Sequence, residues 1–163
     1  MIFVTVGGQL PFERLVRAVD AWAGSRGRTD VFVQTGGGTY RPEHVRFQAA
    51  LRPTEFRATM EKASAVVGHA GMGTILSALE LGKPLLVLPR RAAFHETRND
   101  HQVETARRFA AQGKLLAAFE EAELAGLLDR IESHAAPERI STSAPAALLD
   151  RIRRFALDEP WRP

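Results

Sequence analysis

The sequence predicts an α/β fold: a Rossmann-like, mainly parallel sheet with helices on both faces. Short β-branched apolar runs alternate with segments of helical period. The runs are apolar throughout, as in strands covered on both faces. Glycine clusters close several of them.

Ile2 to Val6 is the first run and ends at Gly7-Gly8. Pro11 suits a first helical turn, and Phe12, Leu15, Val16, Val19 and Trp22 follow at helical spacing. Val31 to Gln34 is the second strand, closed by Gly36-Gly37-Gly38, and Val45 to Leu51 a third, less apolar one. Pro53 and Thr54 open a short helix carrying Phe56 and Met60. Ser64 to Gly68 is a strand, Ile75 to Leu81 a helix stopped at Gly82, and Leu85 to Leu88 the next strand. A polar loop from Pro89 to Arg98 leads to a helix over Asn99 to Gln112, then a strand over Lys114 to Ala118. Helices over Glu121 to His134 and Pro145 to Leu157 complete the chain. A single domain over residues 1–163 is expected, with its core in 1–134. The helix 145–157 is a candidate docking element, because its apolar stripe of Leu148, Ile152 and Phe155 needs a cover. That cover is either this domain's own sheet or a partner.

Composition narrows the function. The 163 residues are 45% hydrophobic and 25% charged, which excludes wholesale disorder. The net charge of +3 is too small for a dedicated nucleic-acid binder. No cysteine is present, which removes disulfides, thiolate metal sites and a cysteine nucleophile. No apolar run approaches the roughly 18 residues of a membrane span, and the first residues lack a secretory pattern, so a cytoplasmic location is expected.

Gly7-Gly8, Gly36-Gly37-Gly38 and Gly71-Met72-Gly73 all follow strands, at the sheet edge where ligands of parallel sheets bind. Glycine lets backbone N–H groups approach an anion, and a following helix adds unpaired donors. A phosphate-bearing ligand is the reading favoured over simple tight turns. The P-loop pattern is absent, and Leu76 stands where a dinucleotide fingerprint needs its third glycine.

The strings Gly68-His69-Ala70-Gly71-Met72-Gly73-Thr74, Ala78-Leu79-Glu80-Leu81-Gly82-Lys83-Pro84, Val87-Leu88-Pro89 and Asn99-Asp100-His101-Gln102 occur in that order. With Thr5-Val6-Gly7-Gly8 and Phe32-Val33-Gln34-Thr35-Gly36, they resemble the donor-binding, C-terminal domain of glycosyltransferase family 28 over roughly residues 1–118. Among short members, the chain resembles bacterial exopolysaccharide glucuronosyltransferase subunits and the soluble subunit of the split dolichol-linked N-acetylglucosaminyltransferase. The resemblance implies a fold equivalent to the C-terminal half of a GT-B glycosyltransferase, and an inverting transfer from a UDP-sugar to a lipid-linked saccharide acceptor. It also implies a membrane-anchored, acceptor-binding partner subunit that recruits the chain peripherally, with no cofactor and no metal.

Site roles follow from the resemblance. His69 is the catalytic candidate, stabilising the leaving diphosphate. Gly71, Met72, Gly73 and Thr74 belong to the phosphate-binding segment, while Gly7 and Gly8 either close its other side or face the acceptor. Gly36 is expected near the nucleoside and Leu51 at the base. Asn99, Asp100 and Gln102 are donor-binding candidates, Asp100 and Gln102 for the sugar hydroxyls; Asn99 is also a candidate helix cap. Arg90, Arg91 and Arg98 could read a uronate carboxylate, with a solvated basic loop as the competing reading. Ser77 stands where relatives carry a ribose-binding glutamate. The general base is not identified. The sugar is either glucuronic acid or GlcNAc; a binding module without turnover is the alternative function, and an epimerase a third, less favoured one.

Overall fold

The computed structural model describes residues 1–8 and 10–157. Ile2–Thr5 (β1), Val31–Gln34 (β2), Arg46–Gln48 (β3), Ala65–Gly68 (β4), Leu85–Val87 (β5) and Leu116–Ala117 (β6) form one sheet. All pairings are parallel, in the order β3-β2-β1-β4-β5-β6. The helices are Glu13–Arg26 (α1), Pro53–Lys62 (α2), Met72–Glu80 (α3), His101–Ala111 (α4), Glu121–Leu128 (α5) and Ala146–Ala156 (α6).

Alternate side chains of β1, β2, β4 and β5 enter two separate cores. Ile2 and Val4 pack with Leu15, Val19 and Trp22 of α1 and Leu124 and Leu128 of α5. Phe3 and Val66 pack on the opposite face with Met60, Ile75, Leu79 and Ala106 from α2, α3 and α4. Phe3 stacks on Phe32 at 6.0 Å and meets Phe56 edge-on at 5.5 Å. Both faces are thus covered, which is why the strands read as unbroken apolar runs.

Several expected boundaries move, for local reasons. Pro11 lies outside α1, whose cap is Phe12, because the Pro11 carbonyl accepts a bond from Arg90 instead of starting the helix. The third strand shrinks to β3, exposed along its length at the sheet edge. The last strand likewise shrinks to Leu116–Ala117. The glycine segment joins α3, which starts at Met72 with Gly71 as cap. The helix expected to reach His134 stops at Leu128, and a 3-10 turn over Ile131–Ser133 follows. Asp129, at the C-terminal cap, accepts bonds from Trp22 Nε1 and Arg26.

α6 differs from the rest. None of its residues is buried, and Leu148, Leu149, Ile152 and Phe155 all stand exposed. The domain's own sheet is therefore not the cover for its apolar stripe.

Candidate functional site

The chain reverses direction across the sheet between β1 and β4: β2 and β3 build outward on one side of β1, β4 to β6 on the other. At such a switch point the loops leaving adjacent strands part and open a crevice. Thr5 pairs with Gly68 in register, so the Gly7-Gly8 loop and His69 emerge side by side. A cleft of about 730 Å³ lies there, lined by Thr5, Gly7, Gly8, Gln34, Leu51, Pro53, Phe56, Arg57, His69, Gly71, Gly73, Thr74, Ser77, His101 and Gln102. A smaller adjoining pocket of about 130 Å³ shares Gly7, Gly8, His69, His101 and Gln102 and adds Val6, Leu10, Arg90, Glu96 and Thr97.

His69 is gripped by two glycines. A Cβ on Gly7 would lie 2.7 Å from the ring, and one on Gly71 would run into it as well. Gly7 also needs its glycine for a φ of +79°. Burial, helped by the Arg90 guanidinium, pushes the His69 pKa down to about 4. The ring is therefore neutral at pH 7, and its contribution to a phosphate is a hydrogen bond, not a standing charge. Its Nδ1 lies toward the Thr5 backbone but makes no well-formed hydrogen bond.

Beside the ring, α3 begins with no side-chain cap bond. The unpaired N–H groups of its first turn and the positive end of its dipole face the cleft through Gly73 and Thr74. Gly8 and Gly73 have open space where a side chain would stand, so a ligand can approach their backbone closely. On the other side of the switch point, Thr5 Oγ1 donates to Gln34 Oε1 at 2.6 Å and accepts from the Gly7 amide at 3.2 Å. Gln34 Nε2 donates to the Gly7 carbonyl at 3.2 Å, tying the β1 and β2 ends together. Leu51, Pro53 and Phe56 make an apolar wall at the far end.

The expected residues divide. His69, Gly7, Gly8, Leu51, Gly71, Gly73, Thr74 and Gln102 converge on the cleft, and Ser77 lines it from α3. Gly36 does not line it. With φ +66° and its N–H bonded to the Ala49 carbonyl at 2.9 Å, Gly36 makes the turn after β2. Met72 is also absent from the lining and stands exposed. Asp100 does not reach toward the cleft: its Oδ1 accepts the Ala92 N–H at 2.8 Å, because it closes the loop before α4. Asn99 accepts the His101 N–H and pairs with His101 Nδ1, so its side chain does the capping although Asp100 holds the cap position.

Two of the three loop arginines are committed to the protein. Arg90 donates to four backbone carbonyls, and Arg91 donates to the Phe119 carbonyl and Glu120. Arg90 has no free fork for a sugar carboxylate, and Arg91 has spent its Nη2 while its Nε is buried without a partner among the described residues. Arg98 stands exposed and forms a shallow pocket with Leu10, Thr97, Asn99 and His101. The residues missed in the sequence are Thr5, Gln34, Pro53, Phe56, Arg57 and His101. Gln34 carried a signal: a polar side chain ending an apolar strand beside a glycine turn.

The known proteins it resembles agree with this geometry. A human UDP-N-acetylglucosamine transferase subunit ALG13 is 32% identical over 124 residues, covering 70% of this chain. The chain spans only 10% of that human protein's length. The NMR solution structure of ALG13 superimposes with a TM-score of 0.60, 20% identity and 93% coverage of both chains. The crystal structure of the kitacinnamycin glycotransferase gives a TM-score of 0.62 at 16% identity, covering 97% of this chain and 38% of that one. These two structures share the fold of this chain. The description "glycosyltransferase family 28 C-terminal domain" matches residues 1–152, and the chain belongs to that family.

Proposed function

We propose that this chain is the donor-binding subunit of an inverting hexosyltransferase that draws on UDP-N-acetylglucosamine. The observation that carries the reading is the neutral His69 held between Gly7 and Gly71, beside the uncapped start of α3. That is a site for the two phosphates of a nucleotide sugar. In the reaction an acceptor hydroxyl gives its proton to a base on the acceptor side, and its oxygen attacks the anomeric carbon. The bond to the diphosphate oxygen breaks, and the nucleoside diphosphate leaves with its electron pair. His69 and the α3 amides stabilise the charge that grows on that leaving group. Leu51, Pro53 and Phe56 offer an apolar wall for the base, and Gln102 an amide for the sugar. The committed guanidinium groups of Arg90 and Arg91 favour a neutral sugar over a uronate, in keeping with the similarity to ALG13.

The acceptor is a lipid-linked saccharide of polysaccharide synthesis, held by a membrane-anchored partner that recruits this chain to the inner face of the membrane. Among the described residues no helix is long and apolar enough to cross a membrane. The exposed stripe of α6 is the docking element for that partner. Calorimetry with UDP, UDP-N-acetylglucosamine, UDP-glucuronic acid and GDP tests the donor reading. Binding of the first two, with the others weaker, supports it. No binding of UDP overturns it. Transfer of labelled GlcNAc to lipid should require membranes carrying the partner; equal transfer by the purified chain alone overturns the split-enzyme reading.

A further inference from the structure

Arg90 is 4% exposed, yet no carboxylate pairs with it among the described residues. Its Nη1 donates to the carbonyls of Pro11 (2.8 Å) and Glu96 (3.2 Å), and its Nη2 to those of Val6 (2.7 Å) and Leu10 (2.6 Å). All four terminal N–H donors are thereby used. The Phe12 ring lies 4.7 Å from the guanidinium carbon. The nearest acid in the network, Glu96, spends its carboxylate on Arg14 and on the Arg91 N–H. A buried cation held by carbonyls alone is expensive for stability, and an apolar plug would fill the space at lower cost. Its position suggests what the charge does. Three of the four carbonyls flank Gly7 and Gly8 in the loop after β1, and the fourth belongs to the loop before α4. The Arg90 N–H also donates to Gln102 Oε1 at 3.2 Å, which aims that side chain at the cleft. Its field reaches the cleft, since it is one cause of the low His69 pKa.

We propose that Arg90 is a positioning residue for diphosphate recognition: it clamps the Gly7–Gly8 loop against the loop before α4 in the shape that receives an anion, and sets an unpaired positive charge behind that loop. This rests on the cleft being a nucleoside-diphosphate site. The clamp fixes the loop before the ligand arrives, so the ordering cost is not charged to binding. The charge acts on phosphates and leaves the nucleoside end untouched.

The test compares UDP with uridine on the wild-type chain, Arg90→Lys and Arg90→Met. Lysine keeps the charge, but three donors cannot span four carbonyls; methionine removes both. UDP affinity should fall about tenfold or more in both variants, further in Arg90→Met, while uridine affinity stays the same. A parallel loss for UDP and uridine, or no loss, overturns the proposal. Failure of the wild-type chain to bind UDP sinks the cleft reading itself, a distinguishable result. Should both variants fail to fold, inorganic pyrophosphate is titrated into the wild-type chain. Slowed exchange of the Arg90 Nη protons and the Gly8 amide is then expected, and unchanged exchange overturns the proposal.

Discussion

The switch-point cleft and α6 are built on opposite plans. Around the cleft, the chain supplies its own partners: Gly7 and Gly71 hold His69, Thr5 and Gln34 tie two strand ends, and Arg90 clamps two loops. α6 has an apolar stripe as clear as any helix in the molecule, yet Leu148, Leu149, Ile152 and Phe155 are all left exposed. An isolated helix of 11 residues is marginal in water. The difference teaches that the cleft is built from the chain's own contacts, while the apolar face of α6 has no such contacts to close it among the described residues. Changes near the cleft should therefore alter donor binding and stability of the isolated chain. Changes in α6 should alter assembly alone.

Truncation after Ala144 gives the largest effect. The shortened chain should lose assembly with the membrane partner altogether, while its unfolding free energy and UDP affinity stay within about 0.5 kcal/mol of the full chain. Co-purification with partner membranes and denaturant unfolding measure the two. Unfolding of the truncated chain would abolish the contrast, since α6 would then be part of the body.

His69→Ala should lower turnover of the reconstituted complex by about 10²–10³, with a smaller change in the KM for donor. A neutral ring that hydrogen-bonds the departing diphosphate acts most when its charge is greatest. Equal losses in kcat and affinity would make His69 a ground-state ligand instead.

The same side chain predicts an acid sensitivity. His69 titrates near 4 when folded against an ordinary value of 6.5. Between those values the unfolded chain binds more protons, so stability is full above the upper value and falls as pH drops toward the lower. The loss reaches about 3 kcal/mol at most, order-of-magnitude, near pH 4. Comparing wild type with His69→Gln at pH 7 and pH 4.5 isolates it from the carboxylates. The variant should lose less; an equal loss removes His69 as the cause.

Much of this was legible in the sequence, and the misses have physical reasons. Unbroken apolar strands and glycine closures gave the parallel sheet, because burial on both faces leaves that mark. The His69 segment and Leu51 landed on the cleft, since glycines that admit a ligand are visible as residues. Arg90 and Asp100 were misjudged because a polar side chain carries no sign of whether it serves a ligand or a backbone. Which carbonyls surround Arg90 depends on two loops some 80 residues apart. Gly36 was misplaced for a related reason: a positive φ that makes a turn and a bare backbone that admits phosphate both demand glycine.

Gly71 and Gly73 separate a packing demand from a ligand demand. A methyl group on Gly71 meets the His69 ring, so Gly71→Ala should cost about 1–3 kcal/mol of stability. Gly73 sits in the first turn of α3 with nothing near its missing Cβ. Gly73→Ala should hold or raise stability by up to about 1 kcal/mol, yet weaken UDP by filling the space a phosphate uses. Thermal unfolding and calorimetry on both variants report this. Unchanged UDP affinity in Gly73→Ala would move the phosphates off the start of α3.

Phe155 gives the smallest effect and the sharpest contrast. It is 85% exposed, whereas Phe12, which closes the core under Arg90, is 1% exposed. Truncating Phe12 to alanine removes a filled volume and should cost about 3–5 kcal/mol. Truncating Phe155 removes surface that water already wets, so the isolated chain should change by no more than about 0.5 kcal/mol. In the assembled complex the same change should cost about 2 kcal/mol or more, as expected of an aromatic anchor buried by a partner. Denaturant midpoints of the isolated chain and the partner-binding affinity of each variant measure both sides. A large loss from Phe155→Ala in the isolated chain would show that α6 folds onto its own domain, and the docking surface would then have to lie along the glycine edge where the acceptor arrives.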